Sequence, residues 1–223
     1  MASNERIISA GHDRALATNK VIRNTYTLLS ITLAFSAVMA GVAMLSGIER
    51  MNFIVVLAGF FGLYFLTNRL RNSPWGIAAV FALTGFMGFT LGPVLNMYMA
   101  AFTNGSQLIM MAFGGTAAIF LGLSGYALST RKDFSFMGGF IFAGVLVAFL
   151  AGIGAMVFSL PGLALAVSSM FILLMAGFIL YQTSEMVHGG ETNYIMATVG
   201  LYVSIYNIFT SLLHLLGVFG GND

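Results

Sequence analysis

The sequence predicts an all-α membrane protein of seven transmembrane helices, and three observations predict it. First, 59% of the 223 residues are hydrophobic and only 7% charged, against roughly 45–50% and about 25% in an ordinary soluble domain. Second, the apolar residues gather into seven runs, each close to the ~20 residues needed to cross a hydrocarbon core of ~30 Å. Third, the few charges lie almost wholly between the runs. In lipid every backbone N–H and C=O must be satisfied internally, so uninterrupted apolar runs of this length are read as helices. Seven of them leave room for a tail and short connections but for no separate soluble domain. The chain has no Cys, which excludes a disulfide, a Cys-ligated metal and a thiol nucleophile. A formal charge of +2 is too small to suggest a nucleic-acid partner.

The first stretch, residues 1–24, carries Glu5, Arg6, His12, Asp13, Arg14, Lys20 and Arg23, with no apolar core of the kind a signal peptide needs. It reads as a polar, flexible cytoplasmic tail. The spans follow at about Thr25–Gly47, Asn52–Asn68, Gly76–Ala101, Gln107–Ser129, Phe136–Leu160, Leu163–Val187 and Tyr194–Phe219. The second is short and closes on Asn68, Arg69 and Arg71. Residues 25–219 thus form one helical domain, and residues 220–223 a short end on the far side. Connections on that side are the Glu49–Arg50 turn, Phe102–Ser106 and Pro161–Gly162, all too short to fold by themselves.

Basic residues set the orientation, because Lys and Arg near membrane ends accumulate on the cytoplasmic side. With the tail inside, Arg6, Arg14, Lys20, Arg23, Arg69, Arg71, Arg131 and Lys132 are inside and only Arg50 is outside. The expectation is a multi-pass membrane protein with a cytoplasmic N-terminus and a C-terminus on the opposite side. Glycines recur within the spans, among them Gly88, Gly92, Gly114, Gly115, Gly122, Gly125, Gly138 and Gly139. Small residues let helix backbones approach closely in lipid. Gly88-x-x-x-Gly92 therefore reads either as packing inside a compact bundle or as a dimerisation motif.

An ionisable group inside a membrane is by default a functional hypothesis. Glu185 and His188 lie near the cytoplasmic end of the sixth span and Glu191 in the loop after it, which leaves His214 as the one ionisable side chain placed well inside a span. It is either a neutral imidazole bonded to a neighbouring helix or part of a proton relay. In the seventh span Gly200, Ser204, Asn207, Ser211 and His214 recur at spacings of four, three, four and three, which places them on one helix face. Such a stripe faces protein or water; it serves either as packing through interhelical hydrogen bonds or as a hydrated path. Gln182 and Thr183 in the sixth span are its expected partners.

Nothing in the sequence points to an enzyme. There is no metal-binding His pair on a helix, no phosphate loop and no pair of intramembrane carboxylates. Ser204 and His214 stand ten residues apart on one helix, about 15 Å of rise and too far for a direct hydrogen bond. No cofactor is expected.

Several segments resemble the Bax inhibitor-1 (TMBIM) family of integral membrane proteins: Ala112-Phe-Gly-Gly-Thr116, Lys132-Asp-Phe-Ser-Phe136, and Leu201-Tyr-Val-Ser-Ile-Tyr-Asn-Ile-Phe209 followed by Leu212-Leu213 and Leu216-Gly217. Others are His12-Asp-Arg14, Arg23-Asn-Thr-Tyr26, Thr32-Leu-Ala-Phe-Ser-Ala37 and the His188–Ile195 run. The last four are most similar to bacterial inner-membrane members that modulate the membrane-bound AAA protease FtsH. The resemblance implies six spans around a central seventh, placed in a bacterial inner membrane so that the C-terminus is periplasmic. It also implies FtsH and its associated membrane proteins as partners, bound so that degradation of membrane proteins is limited, with the N-terminal tail as the engagement point. The alternative implied by the family is a pH-sensitive leak of Ca²⁺ or protons through an aspartate dyad on the sixth and seventh spans. Matched by local motif, those two positions fall on Gln182 and Ser204. Neither is a carboxylate, so the anionic ligands that Ca²⁺ prefers and the proton shared by a carboxyl pair are both missing. Glu185, one turn from Gln182, is either a displaced acid or an end-of-helix charge.

Overall fold

In a computed structural model describing residues 2–221, with side chains from residue 16 onward, the chain folds into seven α-helices. They are α1 (Ala2–Leu45), α2 (Phe53–Leu70), α3 (Trp75–Ala101), α4 (Gly105–Thr130), α5 (Met137–Val157), α6 (Pro161–His188) and α7 (Tyr194–Gly220). All seven are long and apolar enough to span a bilayer. Helix α1 has no break at Asn24, the expected edge of the tail; the side chains of residues 1–15, and Asn222 and Asp223 at the other end, lie outside the described residues.

Two boundaries differ from the sequence expectation for reasons of turn chemistry. The fifth span was expected to run to Leu160, but α5 stops at Val157, and Ser159 turns the chain with φ +50°. Pro161 then opens α6, since proline at the first helical position gives up an N–H that would have no partner and supplies a fixed φ. Pro161–Gly162 is thus the first turn of a helix and the connection is 158–160. At the other end of α6, Gly189 takes the left-handed conformation (φ +79°) that closes the helix, which glycine adopts without steric cost.

Helix α7 is the axis of the bundle. It packs against α6, α4, α1, α3 and α2, whereas α5 packs on α6 alone and is held one helix away from the centre. Ile195, Val199, Leu201, Tyr202, Ile208 and Leu213 of α7 are buried. Since lipid tails are as apolar as leucine, such burial reflects close packing more than exclusion of water. Glycines make the closeness possible between α1 and α3. A β-carbon added at Gly88 would press into the Ser36 carbonyl, and one at Gly92 would lie 2.6 Å from the Ala40 carbonyl oxygen. Gly88-x-x-x-Gly92 therefore packs inside the monomer, and its face is not available to a second copy.

Hydrogen bonds lock both ends of the bundle. At the end nearer the tail, the Asn193 side chain accepts from the N–H groups of Ile195 and Met196 and so caps α7, while its amide donates to the Arg71 carbonyl (3.0 Å) and to Asn72 (2.9 Å). Asn96 donates to the Met44 carbonyl (3.0 Å) and Asn104 to the Gly220 carbonyl (2.7 Å) at the opposite end. The alternation of seven helices carries the α2–α3, α4–α5 and α6–α7 turns to one side, bringing Arg69, Arg71, Arg131 and Lys132 to the end where Lys20 and Arg23 lie.

Candidate functional site

The polar stripe of α7 faces α6 at both of its ends. Near the tail-side end, Gly200 leaves space that Phe178 and Gln182 of α6 fill: a β-carbon there would stand 3.2 Å from the Phe178 ring and 3.3 Å from Gln182 Oε1. Gln182 is buried at this crossing. Ser204, one turn further on and also buried, donates its hydroxyl proton to the Gly200 carbonyl at 3.0 Å. The two positions matched to the aspartate dyad therefore lie within one helical turn along the α6–α7 seam. Both are neutral, and the hydroxyl of one is spent on its own helix.

Further along, the half-buried Asn207 donates back to the Val203 carbonyl (2.8 Å), and Ser211 is buried. His214 reaches across the seam, its Nδ1 2.8 Å from Ser168 Oγ of α6. The expected partner pair is divided, because adjacent helix residues point about 100° apart. Gln182 meets α7, while the Thr183 hydroxyl lies 3.3 Å from that of Tyr26 on α1. Glu185 points away from the seam: its carboxylate packs against Gly190 in the α6–α7 turn, and its carbonyl accepts from the N–H groups of Gly190 and Glu191.

A second polar centre lies on another face of α7, where the stripe did not point. The Tyr202 hydroxyl sits 2.6 Å from Ser36 Oγ on α1 and donates to the Thr84 carbonyl on α3 at 3.1 Å. It joins three helices at the centre of the bundle with every group satisfied, as a buried phenol requires. Periodicity passed over it because Tyr202 is two residues from Ser204 and so lies off the stripe. The available signal was the phenol itself, a polar group that could not be left unpaired in lipid. Ser168 was missed likewise, being 46 residues from its partner.

At the tail-side surface, Ser184 holds the α4–α5 connection. Its Oγ accepts from the Phe134 N–H (2.9 Å) and donates to the Lys132 carbonyl (3.2 Å), and the exposed His188 packs its Nδ1 near the Ser184 carbonyl (2.9 Å). Within that connection Asp133 accepts from the Ser135 N–H at 2.8 Å. The backbone and side-chain hydrogen bonds from Ser135 hold its carboxyl below the usual carboxylate range. Among the described residues no three His, Asp or Glu side chains gather closely enough to hold a metal ion.

The sequence that builds this bundle has a counterpart among known families. The family model described as inhibitor of apoptosis-promoting Bax1 matches residues 18–221. The chain belongs to the Bax inhibitor-1 family. Among its relatives, an uncharacterized protein of Pseudomonas aeruginosa is 55% identical over 203 residues, covering 91% of each chain. The modulator of FtsH protease YccA from Escherichia coli K12 is 51% identical over 215 residues, 96% of this chain and 97% of that one. A protein from Escherichia coli O6:H1 with the same identity and coverage is named inner membrane protein YccA. At the α6–α7 crossing of this chain, Gln182 and Ser204 are both uncharged side chains.

Proposed function

We propose that this protein is an inner-membrane modulator of the FtsH protease that binds the protease complex and limits degradation of other membrane proteins. The observation that carries the reading is 51% identity along 96% of the chain to a protein named as such a modulator. An interrupted or partial match would support the membrane body alone, whereas this one includes most of the polar lead as well. The basic residues gathered at the end bearing residues 20–23 favour a cytoplasmic N-terminus. A protease that draws cytosolic tails into an ATPase ring would find the polar lead of residues 1–24 there, attached to a body of seven spans that resists extraction. The tail is then the engagement point, and slow processing of this chain occupies the protease at the expense of other substrates.

The test uses the full chain with an affinity tag at its C-terminus, purified from native membranes, beside a version lacking residues 1–20. The expected result is recovery of FtsH with the full chain, together with a longer half-life of a reporter membrane substrate when the full chain is overproduced. Deletion of residues 1–20 should abolish the half-life effect. Absence of FtsH from the purified complex would overturn the partnership, and an unchanged half-life effect after the deletion would overturn engagement through the tail.

A further inference from the structure

The α2–α3 turn gathers hydrogen-bond donors that the chain itself does not use. Arg69 lies in the last turn of α2, Arg71 caps that helix, and Trp75, the only tryptophan, opens α3. All three side chains are exposed, Trp75 by 71%. Among the described residues Arg69 has no hydrogen-bond or ion-pair partner, and neither has the indole N–H of Trp75. Arg71 makes one long contact, from a guanidinium nitrogen to Asn68 Oδ1 at 3.3 Å. Glu191, the acid in the α6–α7 turn that is tied to this one, already accepts from the Asn193 N–H at 2.7 Å.

The backbone beneath these donors is fixed. Asn193 fastens the Arg71 carbonyl and the Asn72 side chain to the start of α7. Within the turn the Ser73 N–H donates to the Leu70 carbonyl (2.8 Å) and the Gly76 N–H to the Ser73 carbonyl (2.9 Å). These ties use backbone groups and two asparagine side chains, and neither guanidinium takes part. Donors carried on a rigid turn bind a ligand with less loss of chain freedom.

Depth and charge together identify the ligand. Helix α2 has 18 residues, about 27 Å at 1.5 Å per residue, so it barely covers a hydrocarbon core of ~30 Å. Arg69 and Arg71 therefore stand at the level of the lipid headgroups instead of clear of the membrane. An exposed tryptophan favours that same level, because its amphipathic ring suits the interface. Phe65 and Leu66, exposed by 64% and 45%, precede Arg69 by four and three residues and so share its face of α2. Apolar surface for an acyl chain thus leads directly to two guanidinium groups. A zwitterionic headgroup would bring its own cation against them, whereas an anionic one brings none. The other basic turn is built differently: Lys132 Nζ donates to the Tyr126 hydroxyl at 3.3 Å and lies 5.9 Å from the centre of that ring, and Asp133 follows it.

We propose that the α2–α3 turn binds one anionic glycerophospholipid of the leaflet on the tail side, with Arg69 and Arg71 donating to its phosphate and an acyl chain laid along Phe65 and Leu66. Guanidinium suits this role because its N–H groups can form parallel bonds to two phosphate oxygens. The site does not depend on the protease reading.

The single tryptophan serves as the probe. The full-length protein is reconstituted in phosphatidylcholine bilayers with rising fractions of phosphatidylglycerol brominated high in its acyl chains, and quenching of Trp75 fluorescence is compared with that by brominated phosphatidylcholine. Each basic side chain at a membrane surface favours an anionic lipid about fivefold, so half-quenching should need roughly ten- to thirtyfold less of the brominated phosphatidylglycerol. Arg69→Gln combined with Arg71→Gln should erase the preference. Arg69→Gln alone removes no contact within the chain and should lower it about fivefold, which covers the case in which the double variant fails to fold. Arg131→Gln combined with Lys132→Gln should leave the preference in place. Equal quenching by the two brominated lipids would overturn the proposal. So would an equal loss in the Arg131→Gln, Lys132→Gln protein, which would assign the preference to the net charge of that end. Glycerol phosphate in solution separates a lipid from a free anion: relief of the quenching by it would overturn the lipid as ligand.

Discussion

The α1–α3–α7 centre and the α4–α5 rim are built from the same residue types and behave as opposites. In the centre, Gly88 and Gly92 face carbonyl groups of α1 so closely that neither has room for a methyl group, and Tyr202 closes a hydrogen-bonded junction of three helices. On the rim, Gly114, Gly122 and Gly125 of α4 have nothing within 4 Å of where a β-carbon would be, and Phe140, Phe142, Leu146, Val147 and Leu150 of α5 are exposed. The difference teaches that in a membrane the meaning of a residue comes from what stands opposite it, because an apolar side chain is equally compatible with lipid and with another helix.

The strongest way to break this contrast is Gly88→Val. Overpacking a tight core costs typically 1–3 kcal/mol, and here backbone rather than a flexible side chain must give way, so the expected loss is about 3 kcal/mol or more. Thermal unfolding in detergent reads it, and an unchanged Tm would show that α1 and α3 are not in close contact. Tyr202→Phe keeps the ring and removes the hydroxyl that serves Ser36 and Thr84. It should destabilise by about 1–2 kcal/mol, and pairing it with Ser36→Ala should give a clearly non-additive cycle. Asn193→Ala removes the cap of α7 and the tie to Arg71 and Asn72, at about 1 kcal/mol, with faster hydrogen exchange expected in the first turn of α7.

Gly114→Ala sharpens the contrast from the other side. The open space accepts the methyl group and the helix gains propensity, so stability should rise by about 0.5–1 kcal/mol, the opposite sign to the change at Gly88. The smallest effect concerns the α4–α5 connection. The carboxyl of Asp133 is held below its ordinary range by Ser135, so the contribution of its ionised form is present above the unfolded value. That contribution is lost as pH falls through the lower folded value. Hydrogen exchange at residues 131–136 should therefore quicken on acidification below about pH 4. In Asp133→Asn this pH step should vanish.

Much of the candidate site was legible in the sequence in one dimension only. The spacing of Gly200, Ser204, Asn207, Ser211 and His214 identified the polar face of α7, and that face meets α6 at both ends. The same periodicity could not give the partners. His214 pairs with Ser168 from 46 residues away and Tyr202 with Ser36 from 166 residues away, and no local pattern encodes contacts of that range. Of the two expected partners Gln182 meets the stripe and Thr183 does not, for a related reason: neighbours in sequence on a helix address different helices.

By itself the sequence determined the seven spans, the clustering of charge at one end and the face of α7 that could not meet lipid. Bilayer thickness, the scarcity of buried charge and the helical repeat are properties of single segments, and each can be counted along the chain. Only the tertiary structure decided that Gly88 and Gly92 close the monomer instead of joining two and that α5 stands outside the ring. Those outcomes depend on which apolar surfaces fit one another, and where the surroundings are as apolar as the protein, shape selects among surfaces that composition leaves equal.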